Sequence, residues 1–340
     1  MLILIVTRQC DLRCSYCPTV KDGWPVLSAD DAIRAIDHYI AICGGGEIKL
    51  FGGEPLLEPE IVSAIVTDAA SRAEITRITL CTNGTHLTGD WLDLLQRTPK
   101  LAIALSIDGA AEDHDRYRRT PDRARGSYDA IAPLLPRFTI APRLYVTQVV
   151  PPGTAHRAAI NFHHLFDLGF RRFKILPALY VNWSDAQLAA LRGALAEIAA
   201  VIVGEWRAGR YAYVRNLFSR STMPAFNRAM VVDADGAIFA SDAVITNISS
   251  GIRERLRAGA ITALPTLAEL EATMEAAGEI VASLYPERTR QSTHRAEQEL
   301  RRFCRTLAPE FVSARMLRTS PVAPAVLSAP RIAPTRASSG

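Results

Sequence analysis

The chain has 340 residues, 49% of them hydrophobic and 22% charged, enough for one large core with a small appendage, which excludes wholesale disorder. Its 39 Lys and Arg against 35 Asp and Glu leave a net charge of +4, too slight to point to nucleic acid. Six cysteines, three of them crowded between positions 10 and 17, favour metal binding in a reducing compartment, the cytoplasm, over a disulfide framework.

The amino-terminal MLILIVTRQC carries no basic leader or small-residue cleavage site and reads as a first strand over 2–7. Short β-rich runs at 47–51, 77–81, 101–106, 143–149 and 172–176 follow it, each closed by a polar turn. Helical patterns at 28–43, 59–72, 89–96, 127–135, 154–168 and 184–207 alternate with them, several opening on a capping residue such as Ser28 or Ser184. Even the most apolar of these, containing LAEIAAVIV, runs directly into Gly204, Glu205, Trp206 and Arg207, so no membrane span is expected. Six βα units predict an α/β fold: a partial (β/α)6, TIM-like barrel over residues 1–210, working at the carboxyl ends of its strands. A hairpin around Asp235-Gly236 and helices near 266–284 and 291–304 form a small second region, 211–317. From 318 to 340 the sequence is Pro/Ala/Ser-rich and is expected to be disordered.

The strongest chemical signal is Cys10-x3-Cys14-x2-Cys17 in RQCDLRCSYCP, directly after the first strand. Three thiolates on one loop suit three corners of a [4Fe–4S] cube and leave the fourth iron open. A closed zinc site needs a fourth ligand, and neither a nearby cysteine nor a spaced His pair supplies one. At the end of the second strand stands Gly52-Gly53-Glu54-Pro55, where adjacent glycines permit close backbone approach and Glu54 offers a carboxylate to an ammonium group. Taken alone, this is also an ordinary turn before a helix. Thr82-Asn83-Gly84 follows the third strand, and Ser106-Ile107-Asp108-Gly109 with His114, Asp115 and Arg118 follows the fourth. The Asn83-Gly84 and Asp108-Gly109 pairs read equally as tight turns.

This order of motifs resembles the radical S-adenosylmethionine (SAM) superfamily over approximately residues 1–180, with Tyr16 as the aromatic before the last cysteine. The resemblance implies a catalytic [4Fe–4S] cluster on Cys10, Cys14 and Cys17, with the open iron chelating SAM. It implies a cofactor-binding role for Tyr16, Gly52, Gly53, Glu54, Pro55, Asn83, Ser106, Asp108 and Arg118, with Glu54 on the methionyl amine. The S-I-D-G…H-D-x-x-R pattern is similar to the subgroup of sulfatase maturases and peptide-modifying enzymes. In that subgroup cysteines flank a D-x-D-G hairpin, whereas here Ser241 stands downstream of it and Cys304 is the only cysteine after residue 81. One cluster only is therefore expected.

The leading expectation is hydrogen abstraction by a 5′-deoxyadenosyl radical from a peptide or protein, the peptide part resting on the subgroup likeness. The alternatives are radical chemistry on a small-molecule metabolite, or a non-catalytic cluster- and SAM-binding protein. An electron donor such as flavodoxin or ferredoxin is the further partner implied. Cys43, Cys81 and Cys304 read as buried or incidental, and His163-His164 as a poor metal pair, because adjacent helical residues point apart. The arginines at 116, 118, 119, 123 and 125 read as a solvated loop or a patch for an acidic peptide, and Trp24, Tyr180 and Trp183 as core or barrel-mouth aromatics.

Overall fold

The computed structural model describes residues 1–218 and 228–319. Six parallel strands, β1 (Leu2–Thr7), β2 (Gly46–Gly52), β3 (Ile75–Thr82), β4 (Leu101–Ser106), β5 (Leu144–Val150) and β6 (Arg172–Pro177), pair in sequence order. The expected partial α/β barrel is thus present, and its sheet is unclosed and mixed. Alternate residues divide its faces: Leu2, Leu4, Ile48, Leu50, Ile78, Leu80, Ile103, Val146 and Phe173 join the core beneath the surrounding helices. Their neighbours Lys49, Cys81, Ala104, Tyr145 and Lys174 therefore line the concave side.

The connecting helices are α1 (Ala29–Cys43), α2 (Pro59–Ser71), α3 (Gly89–Arg97), α4 (Ala111–Tyr117), α5 (Tyr128–Ile131), α6 (Leu135–Ile140), α7 (Ala158–Asp167) and α8 (Asp185–Arg207). Ser28 caps α1 by accepting from the Asp31 amide, and Gly44 ends it in the left-handed conformation. Ser184 and Gln187 form a reciprocal capping box at α8. The helix expected over 127–135 is instead broken into α5, a 3-10 turn at Ala132–Leu134 and α6. Pro133 and Pro136, each lacking an amide hydrogen, account for the break. Segment α4 was not anticipated. Among the described residues α8 is the one helix long and apolar enough by composition to cross a membrane. Its Leu191, Leu195, Ile198, Ile202 and Trp206 are buried in the barrel's outer core, so its apolar face is already covered.

After β7 (Tyr213–Val214), the hairpin β8 (Arg228–Val232) and β9 (Ala237–Ser241) does not stand apart. It adds to the open edge of the barrel, β8 parallel to β1 and β9 antiparallel to β8, giving the order β10-β9-β8-β1-β2-β3-β4-β5-β6-β7. Helix α9 (Ser250–Arg255) leads to β10 (Arg257–Ala260). Helix α10 (Leu267–Ser283) then packs on the concave face, its Ala277, Ile280 and Val281 in one cluster with Ile3, Ile5, Val231 and Phe239. The final helix, α11 (Glu287–Thr319), lies against α8 and is longer than the 291–304 expected. Of the tail expected to be disordered, residues 320–340 lie outside the described residues.

Candidate active site

The cysteine loop leaves β1 and is clamped at its root by the end of β2. The amides of Gly53 and Glu54 donate to the carbonyls of Thr7 and Gln9 at 2.8 Å each. A Cβ at Gly53 would lie 1.9 Å from the Gln9 oxygen, and one at Gly52, where φ is +133°, 2.1 Å from the Thr7 oxygen. The paired glycines are therefore required by close approach to this chain's own loop, a role distinct from the ligand approach read from the sequence. Pro55 begins a short 3-10 turn, and Glu54 folds back beneath it, fully buried. Its Oε1 accepts from the Leu56 amide at 3.0 Å and the Thr82 hydroxyl at 2.8 Å, and its Oε2 from the Asn83 amide at 2.6 Å. Burial pushes the carboxyl up to about 7 even against these donors.

Asn83 carries the link onward to the loop. Its side-chain amide donates to Asp11 Oδ1 at 2.7 Å and lies 3.9 Å from Cys10 Sγ, while Thr85 donates to Asp11 Oδ2 at 2.6 Å. Asp11, unremarked in the sequence, is thus the loop's acceptor for the β3 turn.

From the other side the loop is held by β4 and the segment beyond α4. Arg13 and Ser15 amides donate to the Arg119 and Tyr117 carbonyls at 2.7 and 3.0 Å. Tyr16 donates to Asp108 Oδ2 at 2.6 Å, and Arg118 grips the same buried carboxylate with both Nε and Nη2, at 2.9 and 3.0 Å. The Val149 amide adds a fourth bond to Asp108. His114, fully buried, accepts from the Asp108 amide through Nδ1, which puts its proton on Nε2 toward Ser127, 2.8 Å away. Asp108, Arg118 and Tyr16 are therefore joined to one another as a brace for the cysteine loop. Ser106, at the concave end of β4, pairs in register with Thr147.

The three thiols are free and partly buried on one loop. Burial pushes the Cys10 thiol up to about 12 and raises that of Cys14. Burial acts on Cys17 in the same sense, but Lys21, whose ammonium is 3.2 Å from its sulfur, and hydrogen bonds from Thr19 outweigh it, so the net shift is downward. Among the described residues no three His, Cys, Asp or Glu groups converge closely enough for a single metal ion. Three ligands of one iron–sulfur cube each bind a different iron, so convergence on one point is not required of them. A hollow of about 260 Å³ opens beside the loop, lined by Gln9, Cys10, Asp11, Lys21 and Gly23 among others. The donor set fits a cluster: soft sulfur ligands, an adjacent cation at Cys17, and a rigid loop root.

A third anchor comes from the carboxyl-terminal hairpin. Arg8, 1% exposed, donates through Nε and Nη2 to both oxygens of the buried Asp233, and through Nη2 to the Val244 carbonyl at 2.8 Å. Arg253 reaches the same Asp233 at 2.7 Å and Asp235 at 2.6 Å. Both guanidiniums lie over Trp24, at 3.6 and 4.7 Å from a ring centroid. The Val20 amide donates to the Ile245 carbonyl at 2.8 Å. The D-x-D-G turn thus ends in an arginine clamp on the loop. The signal in the sequence is an arginine directly after the otherwise apolar strand LILIVT.

The remaining candidates disperse. His163 and His164 point to Glu197 and Tyr128 respectively, at 3.1 and 2.8 Å. Cys43 is exposed, not buried as expected, because it is the last residue of α1; Cys81 faces the concave side beside Ala102, Ala104 and Tyr145. Of the five clustered arginines Arg118 alone is buried. Trp183 is a core residue bonded to the Ala178 carbonyl, and Tyr180 stacks on Tyr285 at 4.0 Å.

Residues 4–134 match the sequence model of the Radical SAM superfamily. An AdoMet-dependent heme synthase of Methanosarcina barkeri is 36% identical over 124 residues, which are 34% of this chain and 33% of that protein. A GTP 3′,8-cyclase of Stenotrophomonas maltophilia is 37% identical over 128 residues, 36% of this chain and 38% of that protein. The chain thus spans about a third of the length of the curated relatives it matches. The solved structure of native anSMEcpe with bound AdoMet and Cp18Cys peptide superposes with a TM-score of 0.70 at 17% identity, over 93% of this chain and 98% of that one. Streptococcus suis SuiB bound to precursor peptide SuiA gives 0.54 at 14% identity, over 73% and 61%. At such identities these two likenesses establish the fold.

Proposed function

Because residues 4–134 match the sequence model of the Radical SAM superfamily, we propose that the protein binds one [4Fe–4S] cluster through Cys10, Cys14 and Cys17 and uses SAM to abstract hydrogen from a substrate in the barrel. Held by Cys10, Cys14 and Cys17, a [4Fe–4S] cluster would supply the single electron needed to break the C5′–S bond of SAM, leaving methionine and a 5′-deoxyadenosyl radical. That electron comes from an external donor of the flavodoxin or ferredoxin type. The protein's share is positional. The loop's root is fixed by Gly52, Gly53 and the Arg8–Asp233 clamp, its middle by Asp11 and Asn83, its far side by Asp108 with Tyr16 and Arg118, and its exit by the bond from the Val20 amide to the Ile245 carbonyl. Glu54 presents a buried carboxylate at the junction of β2 and β3, where it would meet the methionyl ammonium; Ser106 stands at the end of β4 for the remainder of SAM.

The observation that carries this reading is that three free thiols share one loop held from three sides by separate parts of the chain. The test is anaerobic reconstitution, reduction with dithionite and detection of 5′-deoxyadenosine, with Cys14→Ala as the control. A reconstituted wild type that yields none with any substrate points to the non-catalytic binding protein.

For the substrate, a small metabolite is one reading, since α10 packs on β8, β9 and β10 in one apolar cluster with the concave-side Ile3 and Ile5. A peptide entering by one side chain is the second reading, supported by the fold shared with peptide-bound enzymes. The six free cysteines agree with a cytoplasmic setting.

A further inference from the structure

The concave side of the sheet carries more cations than it neutralises. Lys49 on β2, Arg77 on β3, Lys174 on β6 and Arg215 just after β7 all face it, by strand alternation or by their electrostatic reach to one another and to Tyr145. Three carboxylates stand near them: Glu47, paired with Arg215 at 3.4 Å, Asp242, and Glu54, which reaches Cys81 together with Lys49 and Lys174. Four cations against three carboxylates leave positive charge in excess inside a folded wall, where charge is costly unless paired. Lys49 lies over the Phe51 ring, 3.8 Å from its centroid, and the buried Nε of Arg77 has no hydrogen-bond partner among the described residues. The β4 wall between them is built of Ala102 and Ala104, which leaves room.

The register ties this cluster to the proposed radical site. Ser106 pairs with Thr147, and Thr147 with Lys174, so the three lie in one row across β4, β5 and β6. At about 4.8 Å per strand, Lys174 is roughly 10 Å from Ser106, within the span of a small metabolite. We propose that Lys49, Lys174 and Arg77 form an oxyanion subsite that holds the carboxylate or phosphate of the substrate while its reacting carbon faces the SAM end of the barrel. Burial, with Lys49 and Arg215 beside it, pulls the Lys174 ammonium down to about 8. This inference rests on the radical SAM reading for its geometry, but anion binding itself requires no turnover.

The test is equilibrium dialysis of the reconstituted full chain, saturated with SAM, against inorganic phosphate and, separately, succinate. SAM saturation removes competition at the cofactor's own carboxylate site. Saturable binding of either anion by wild type, weakened roughly 10- to 100-fold in Lys174→Met and Lys49→Met and regained in Lys174→Arg, supports the subsite. Preference for phosphate or succinate tells a phosphate ester from a carboxylate. Absence of saturable binding by wild type, or equal binding by both Met variants, overturns it. Should Lys174→Met fail to fold, Lys49→Met decides alone. A chain that binds the anion yet never yields 5′-deoxyadenosine would sink the activity and leave the subsite standing.

Discussion

Arg8 and Asp233, 225 residues apart in sequence, form a doubly bonded and fully buried ion pair that fastens the start of the cysteine loop to the carboxyl-terminal hairpin. Asp233 also serves Arg253, so its loss leaves Arg253 with Asp235 and the buried Arg8 with only the Val244 carbonyl. Asp233→Ala is expected to cost about 3–5 kcal/mol of stability, the usual penalty for breaking a buried pair from one side. Urea denaturation of the purified chain measures it, and a loss below about 1 kcal/mol would mean that the clamp is not formed.

Removing a thiol should remove the cluster. Cys10→Ala is expected to abolish the brown chromophore after reconstitution, and full iron and sulfide content in that variant would contradict the ligand assignment. Before loading, Cys17 is the thiol with the lowered pKa, through Lys21. Lys21→Met should therefore slow alkylation of Cys17 at neutral pH, as read by peptide mass spectrometry, and an unchanged rate would show that Lys21 does not hold the thiolate.

Glu54 links the cofactor hypothesis to the fold. Glu54→Ala removes the acceptor of three buried hydrogen bonds and, on the proposed role, the partner of an ammonium. SAM binding should weaken by about 1.5–3 kcal/mol, the range for a charged hydrogen bond. If dialysis with labelled SAM gives an unchanged affinity in a variant that still folds, Glu54 acts on the fold alone.

Gly53→Ala tests the loop root without touching any polar group. The new methyl would meet the Gln9 and Arg8 carbonyl oxygens at 1.9 and 2.4 Å, so backbone must move. The expected loss is about 3 kcal/mol or more, with reduced iron uptake. A wild-type melting curve with full iron content would show that the junction of β1 and β2 is looser than described.

The pH response of His114 has a definite sign. Burial, assisted by Arg118, lowers its folded pKa from the ordinary 6.5 to about 3. Between those values the unfolded chain holds a proton that the folded chain refuses. The contribution is fully present above pH 6.5 and is lost as pH falls toward 3, by up to about 1.4 kcal/mol per pH unit. His114→Gln should flatten the acid limb of a stability curve measured from pH 7.5 to 5; an unchanged slope would show that another group governs it.

The alternating strands and capped helices of the barrel were legible because each obeys a local period, and Cys10, Cys14 and Cys17 because their chemistry is written in one short loop. The bond from Tyr16 to Asp108 was not, since a bond between residues about 90 positions apart leaves no local trace. The same holds for the hairpin: its D-G turn was readable, but its docking on β1 depends on an open sheet edge that exists only once the barrel has formed. The glycines at 52 and 53 were found but read for a ligand, because the carbonyls of Thr7, Arg8 and Gln9 that exclude a Cβ come from another strand.

Strand β1 lies between β2 and β8, so its second neighbour is more than two hundred residues downstream. During synthesis the ribosome delivers this early segment long before Arg228–Val232 emerges, and one flank must wait unpaired. Nascent chains stalled near residue 210 should bind chaperones at that flank.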